Sequence, residues 1–367
     1  MKLAIERAEL LKALGHVQSV VERRNTIPIL SNVLMTATDG GVQMTATDLD
    51  IEIVEGAKAD VGQPGEITAP AHTLYDIARK LPDGAKVSLS KSSDDRLEVE
   101  AGRSHFTLPL LPAGDFPQMT ADGFSHEFDV AAGALARLID KTRFAISTEE
   151  TRYYLNGIYL HGHGAKLRAV ATDGHRLALA EMDAPGGADG MPGVIVPRKT
   201  VAELRRLIDG MDGEIAVKVS ESKIRFEMDG MVLTSKLIDG NFPDYDRVIP
   251  KNNTKELTLD NKVFASAVDR VATISMEKSK SIKMTLEGDN LNLTVNNPEA
   301  GQAAEDLMVG YGGDALEIGF NAKYLMDVAG QIEGRDATYF LADPASPALV
   351  KDSEDPDSLF VLMPLRV

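Results

Sequence analysis

Within Thr172-Asp173-Gly174-His175-Arg176-Leu177, a carboxylate lies two residues from an imidazole. That pairing could serve a general-base hydrolase acting on a nucleic acid or a phosphate ester. No nucleophile or second base accompanies it. Asp-Gly is also an ordinary hairpin turn, and Thr47-Asp48-Leu49-Asp50 repeats the frame without a histidine. His161-Gly162-His163 has the spacing of two metal ligands, but it has flanking glycine and no nearby carboxylate, so a loop is expected there. No glycine-rich loop ending in Lys-Ser or Lys-Thr is present to cradle a nucleotide. Cysteine is absent, which removes thiolate nucleophiles, disulfides and most structural zinc sites. The reading is therefore of no enzyme, with no catalytic residue, no metal and no cofactor. A hydrolase using Asp173 and His175 is the alternative, and a carbohydrate- or protein-binding repeat is a third class.

Arg152-Tyr153-Tyr154-Leu155-Asn156-Gly157 offers a different chemistry, a cation and two aromatic rings able to meet nucleic acid. Arg198-Lys199 at a helix start and Arg23-Arg24 in the first copy supply phosphate partners. The net charge of −17 opposes this, because a polyanion repels an acidic protein. Distribution resolves the conflict. Six helical segments are expected, at 7–24, 72–80, 132–143, 198–209, 261–270 and 321–331. In them Lys and Arg outnumber Asp and Glu by roughly two to one. If those helices share one surface, it accepts a polyanion while the acidic remainder repels it.

The elements that position these groups come in three copies of one unit. Leu3, Phe128 and Leu257 open the copies, each followed by a helical stripe such as Leu10–Ala13–Leu14 or Phe264–Ala267–Val268. An alternating strand recurs as Val42-x-Met44-x-Ala46, Leu167-x-Ala169-x-Ala171 and Leu291-x-Leu293-x-Val295. A second helix follows at Leu74/Ile77/Leu81, Val201/Leu204/Ile208 and Leu325/Val328/Ile332. Domains at 1–120, 127–250 and 256–367 result, with linkers near 118–126 and 250–256 and flexible loops at 186–190 and 351–358. Pro364 interrupts strand pairing, so the last residues are expected to be exposed. No run of about 18 apolar residues spans a membrane, and the first residues lack a signal-peptide core, which points to the cytoplasm.

Repetition of an α+β unit implies an arc or ring. Six helices about 9.5 Å apart enclose a hole of roughly 8 Å, and twelve enclose about 26 Å. Only the larger passes a duplex, so one chain makes half a ring and two complete it.

These residues resemble the bacterial DNA sliding clamps, the β subunits of the DNA polymerase III holoenzyme. The resemblance covers the full length. It is carried by Arg152 to Gly157, Ala171 to Leu177, Val196 to Lys199, Thr234 to Gly240, Phe242 to Tyr245 and Met363 to Arg366. It implies an α+β fold of three similar DNA-clamp domains, each with two helices lining the inner face and antiparallel sheets outside, forming half of a closed ring. It implies a homodimeric processivity factor that encircles duplex DNA without regard to sequence. By position, Arg24, Tyr153, Tyr154, Arg198 and Lys199 resemble the DNA-contacting residues, beside the acidic Thr148-Glu149-Glu150.

A partner-peptide pocket matches Leu155, Thr172, Gly174, His175, Arg176, Leu177, Pro243, Arg247, Val248, Val361, Met363, Pro364, Leu365 and Arg366. Asp246 adds an acid to its rim. Polymerases, the clamp loader, ligase and mismatch-repair proteins use that pocket in the family through short peptides with a Gln and apolar residues. The ring seam resembles Ile77, Phe106 and Leu108 against Thr273 and Ile274, with Arg103 facing Glu299 or Glu305.

Overall fold

The computed structural model describes residues 1–120, 123–275 and 280–366. Two positions of the expected first linker, 121 and 122, lie outside the described residues, as does the terminal Val367. The first repeat runs β1 (Lys2–Glu6), α1 (Arg7–Val17), β2 (Asn32–Thr38), β3 (Gly41–Thr47), β4 (Ile51–Ala57), β5 (Asp60–Gln63), β6 (Gly65–Pro70), α2 (Ala71–Lys80), β7 (Lys86–Lys91), β8 (Arg96–Ala101) and β9 (Ser104–Pro109). The second runs β10 (His126–Ala131), α3 (Ala132–Thr142), β11 (Gly157–His163), β12 (Lys166–Thr172), β13 (Arg176–Asp183), β14 (Val194–Pro197), α4 (Arg198–Leu207), β15 (Glu214–Val219), β16 (Lys223–Met228) and β17 (Met231–Lys236). The third runs β18 (Lys255–Asp260), α5 (Asn261–Ala272), β19 (Ser281–Glu287), β20 (Asn290–Asn297), β21 (Gly301–Met308), β22 (Gly310–Tyr311), β23 (Leu316–Asn321), α6 (Ala322–Ala329), β24 (Asp336–Leu341), β25 (Ala348–Asp352) and β26 (Ser358–Leu362).

Local chemistry explains these boundaries. Asp260 caps α5 by accepting from the backbone N–H groups of Lys262 and Val263, and Asn321 caps α6 through the N–H of Lys323. Pro197 precedes α4, where a missing N–H costs nothing. On β19, Ile282, Met284 and Leu286 alternate inward, as period two demands. Three expectations need correction. The first helix ends at Val17 rather than at 24, and the following β-branched Val20 and Val21 are buried in the core outside the helix. His161-Gly162-His163 ends strand β11, held by pairing with β12, and is no loop. Lys351 and Asp352 close β25, so that loop is shorter than expected.

The chain packs into two compact bodies, Met1–Ala132 with Pro185–Pro192 and Ala202–Leu237, and Gly133–Ala184 with Gly193–Val201 and Ile238–Val367. The first holds a five-stranded sheet, β5-β1-β7-β8-β9, and an eight-stranded one, β10-β15-β16-β17-β4-β3-β2-β6. The second holds a nine-stranded sheet, β14-β11-β12-β13-β26-β25-β24-β18-β22, and a four-stranded one, β21-β20-β19-β23. Each large sheet therefore joins two successive repeats edge to edge, by β17 against β4 and by β26 against β13.

The two joins share a register. Leu3, Leu89, Val99 and Phe106 form a row across β1-β7-β8-β9. Phe128, Val217, Phe226 and Leu233 form the same row in the second repeat. Leu257, Tyr339, Val350 and Phe360 form it in the third. On the other edge, Ala46 pairs with Ile53, Ala171 with Ala178, and Val295 with Ala303. Leu233 then faces Ile53, and Phe360 faces Ala178. The equivalent positions on the end strands β9 and β21 are Phe106 and Ala303.

Phe360 is fully buried at its join and lies 5.9 Å from the ring of Phe144. Phe360→Ala should destabilise the fold by about 3–5 kcal/mol, the usual loss for an aromatic cavity, as checked by denaturant unfolding.

Candidate functional site

The Thr172-Asp173 motif is consumed by turn geometry. Thr172 Oγ1 donates to the carbonyl of Arg176 (2.7 Å), and Asp173 Oδ1 accepts from the N–H groups of His175 (2.9 Å) and Arg176 (3.0 Å). The first repeat builds the same turn. Thr47 Oγ1 donates to the Ile51 carbonyl (2.8 Å), and Asp48 Oδ1 accepts from Asp50 and Ile51. Gly174 takes φ +86° where Leu49 takes 80°, and a Cβ at Gly174 would come within 2.5 Å of the Arg152 guanidinium. Asp173 spends its carboxylate on backbone N–H groups and on Arg176 Nε (3.1 Å), while the His175 ring stacks 6.3 Å from Tyr324. The two side chains do not form an acid–base dyad. His161 and His163 meet edge to face at 6.2 Å, with His161 Nε2 engaged by the Tyr245 hydroxyl. Among the described residues no cluster of three or more metal-ligating side chains occurs.

Arg176 organises the neighbourhood. Its guanidinium reaches Asp173, Asp327 and the Phe144 carbonyl (2.7 Å), and it lies over the rings of Tyr324 (4.4 Å) and Phe144 (5.1 Å). Asp327 and Tyr324 come from α6 of the third repeat, and the sequence reading missed both. A Tyr and an Asp three apart on a helix give no signal of their own.

Three remote segments meet in one apolar cluster. Leu177 pairs with Val361 across β13 and β26, and both pack with Val170, Leu179 and Tyr245 in one buried cluster. Beyond β26 the Met363 N–H donates to the His175 carbonyl (2.9 Å), and the Leu365 N–H donates to the Gly319 carbonyl (2.8 Å). That ties Leu365 to β23, while Met363 and Arg366 stay exposed as expected and Pro364 and Leu365 are half-buried. Backbone bonds compensate for the pairing that Pro364 lacks. A cavity of about 580 Å³ adjoins this point, lined by Arg247, Val248, Lys251, Ser346, Pro347 and Met363. Val248 and Met363 are exposed there, as is Pro243, whereas Leu155 is buried at the end of the 3-10 turn Glu150–Leu155. Thr172 is half-buried, Arg366 exposed. Ser346 and Pro347 come from the β24–β25 connection, and no motif marked them in advance.

The candidate nucleic-acid residues are exposed or half-exposed. Tyr153 is exposed, its ring 5.8 Å from that of Tyr154. Arg198 begins α4, its N–H bonded to the Asn156 carbonyl (2.9 Å), with Lys199 exposed beside it. Arg24 follows α1 in an exposed bend. Glu149 is neutralised by Arg152 Nε at 2.8 Å, and that hydrogen bond holds its carboxyl below the usual range.

Of the seam residues, Phe106 and Thr273 are exposed, Ile77 and Ile274 are half-buried, and Leu108 is buried within its own chain. Arg103 and Glu299 are exposed, while Glu305 is held by Arg270, at 3.0 Å from its Nε.

A thrice-repeated α+β unit, with its Asp173–His175 motif spent on a turn, defines a repeat scaffold. The models of the DNA polymerase III beta subunit match throughout: the N-terminal domain over residues 1–120, the central domain over 129–244 and the C-terminal domain over 246–366. The chain is 64% identical to the beta sliding clamp of Caulobacter vibrioides over the whole of both chains, and 39% identical to that of Escherichia coli K12, again over both whole chains. A crystal structure of the Caulobacter crescentus clamp superposes with a TM-score of 0.98 at 64% identity, covering 100% of this chain and 99% of that one. The Bartonella birtlesii clamp bound to griselimycin superposes with a TM-score of 0.98 at 50% identity, with full coverage of both. The chain belongs to the bacterial β sliding clamp family, the β subunit of DNA polymerase III. It is a processivity factor of DNA replication and not an enzyme.

Arg176→Ala strands Asp173 and Asp327 without their cation. It should cost about 3 kcal/mol, at the low end for breaking a buried ion pair, measurable as a lowered denaturant midpoint.

Proposed function

We propose that two copies of this chain close into a ring around duplex DNA and tether polymerases and other replication and repair proteins through the Leu177–Val361–Met363 cleft. The ring reading rests on one observation, the shared register of the two joins. Strands β9 and β21 are the third members of the two joined strand sets, and each ends its sheet. An unpaired edge invites another strand. Pairing β9 with β21 of a second copy extends the repeat and leaves no open join. It places Phe106 opposite Ala303 of the partner subunit and Ser104 opposite Glu305 of the partner subunit. Ile77, Leu108, Thr273, Ile274, Arg103 and Glu299 flank that seam. Domains at 1–120, 127–250 and 256–367 follow the same repeat.

Arg24, Tyr153, Tyr154, Arg198 and Lys199 are the DNA-facing groups of this reading, with the Thr148-Glu149-Glu150 loop weakened as an electrostatic barrier by the Glu149–Arg152 pair. Retention is topological, because a net charge of −17 disfavours tight direct binding. Exposed Val248 and Met363, backed by the buried Leu177 and Val361, suit the side chains of an extended peptide, and His175 and Arg247 supply polar rim groups. Polymerases, the loader, ligase and mismatch-repair proteins are the partners proposed. No helix among the described residues is long and apolar enough to cross a membrane, and a cytoplasmic location is part of the proposal.

Opposed residues of antiparallel strands lie about 4.5–5.5 Å apart at Cα, within disulfide reach. The native chain lacks cysteine, so Phe106→Cys with Ala303→Cys should give a covalent dimer on oxidation. A variant with Phe106→Cys and Met308→Cys, out of register, should not. Equal cross-linking of both variants would refute the register. Loaded onto nicked circles, the protein should survive high salt and be released when the DNA is linearised. Survival on both forms would mark an ordinary DNA binder.

A further inference from the structure

One polar cluster behind the cleft is used by none of the foregoing. His161, Arg168 and Glu181 form a row across β11, β12 and β13, each directly opposite the next. Arg168 Nε donates to Glu181 Oε2 at 2.6 Å, and its Nη1 donates to the hydroxyl of Tyr245 at 3.2 Å. His161 Nε2 lies 2.9 Å from that hydroxyl, and Nδ1 lies 2.9 Å from the carbonyl of Gly162. A carbonyl only accepts, so Nδ1 carries the hydrogen and the neutral ring presents a lone pair at Nε2. Arginine only donates, so the single Tyr245 hydrogen goes to His161. The assignment is closed, with each group in its one compatible role.

Tyr245 is buried at the start of a 3-10 turn, Tyr245–Arg247, that leads into Val248, and it packs against Leu177 and Val361. A ladder of rings holds the same segment from the side. His161 stacks on Tyr159 (4.6 Å, 23°) and Tyr159 stacks on Phe242 (4.8 Å, 6°), the residue before Pro243. Strand β11 thereby holds this segment at Phe242 and at Tyr245.

Resting on the pocket reading above, we propose that His161 is a positioning residue for the peptide pocket. As a neutral acceptor it fixes Tyr245 and the 243–248 wall, and protonation releases that wall and weakens peptide binding. The protonated ring donates from both nitrogens. Tyr245 Oη would then face two cationic donors while its own buried hydrogen lost its acceptor. Burial is the chief cause holding His161 below the ordinary imidazole value, and the charges of Arg168 and His163 act the same way. The Gly162 carbonyl and Asp246 oppose them. Because the folded state favours neutral His161, its stabilisation is complete above about pH 6.5, the unfolded value, and is lost as pH falls below it.

The test is the affinity of the full-length protein for griselimycin, the compound bound in the Bartonella birtlesii structure, between pH 7.5 and pH 5.0. The native protein should lose affinity about fivefold, at the lower end of ordinary site-to-site coupling. His161→Gln keeps a neutral acceptor and cannot titrate. It should bind within about twofold of native at pH 7.5 and show a flatter pH profile, which removes His175 and the ligand itself as causes. Parallel profiles would overturn the inference while leaving the pocket reading intact. Absence of griselimycin binding at pH 7.5 would overturn both. Nitrogen-15 NMR of the native protein gives a second readout, with the Nδ1–H tautomer expected at neutral pH. An Nε2–H tautomer would refute the brace.

Discussion

Strand pairing between repeats is the constraint from which the rest of this molecule follows. Side chains alternate faces along a strand, so a one-residue slip at either join would turn Leu233 or Phe360 away from the core. Burial of these residues fixes the register at β17–β4 and at β26–β13. The β26–β13 join also seats the segment that carries Met363, since Leu177 and Val361 pair within it and the Met363 N–H donates to the His175 carbonyl. The join that builds the scaffold and the surface proposed to receive other proteins are one piece of backbone.

Within that piece, polar groups are committed to holding shape. Thr172 and Asp173 close a turn that Thr47 and Asp48 close in the first repeat, with the same hydrogen bonds. His175 therefore stands on a rigid hairpin end, and its carbonyl receives the N–H of Met363. Arg176 then ties the hairpin to α6 through Asp327 and Tyr324. A site with no bond to make or break has no use for a labile proton, and a stiff, partly apolar surface suits recognition of a short peptide. His161 stands apart as a group whose protonation bears on that stiffness.

Charge follows the same division of labour. The chain is strongly acidic, yet Arg198 and Lys199 are exposed at the start of α4 and Arg24 is exposed in a bend after α1. A protein that binds DNA tightly would spread such cations widely. One that must slide is better served by a few weak, sequence-blind contacts with a repelling body behind them.

The sequence alone determined the threefold repeat, the order of strands and helices, and the inward faces. Apolar periodicity is a local property, and it places Leu3, Phe128 and Leu257 in the core without knowledge of any partner strand. It also exposed the Thr-Asp motif as a turn, because the copy at Thr47 lacks the histidine. That Leu177, Val361 and Met363 would meet was expected only through family resemblance, since nothing local links residues so distant in the chain. Tertiary structure alone decided the rest. It ended α1 at Val17 because Val20 and Val21 are needed in the core, and it anchored Leu365 on Gly319. It brought Ser346 to the cavity beside Met363 and Tyr324 against His175 and Arg176, and it set His161 and Arg168 around the Tyr245 hydroxyl. Each of these depends on which strand edges meet, and edge pairing is settled by the burial of whole faces rather than by any short run of residues.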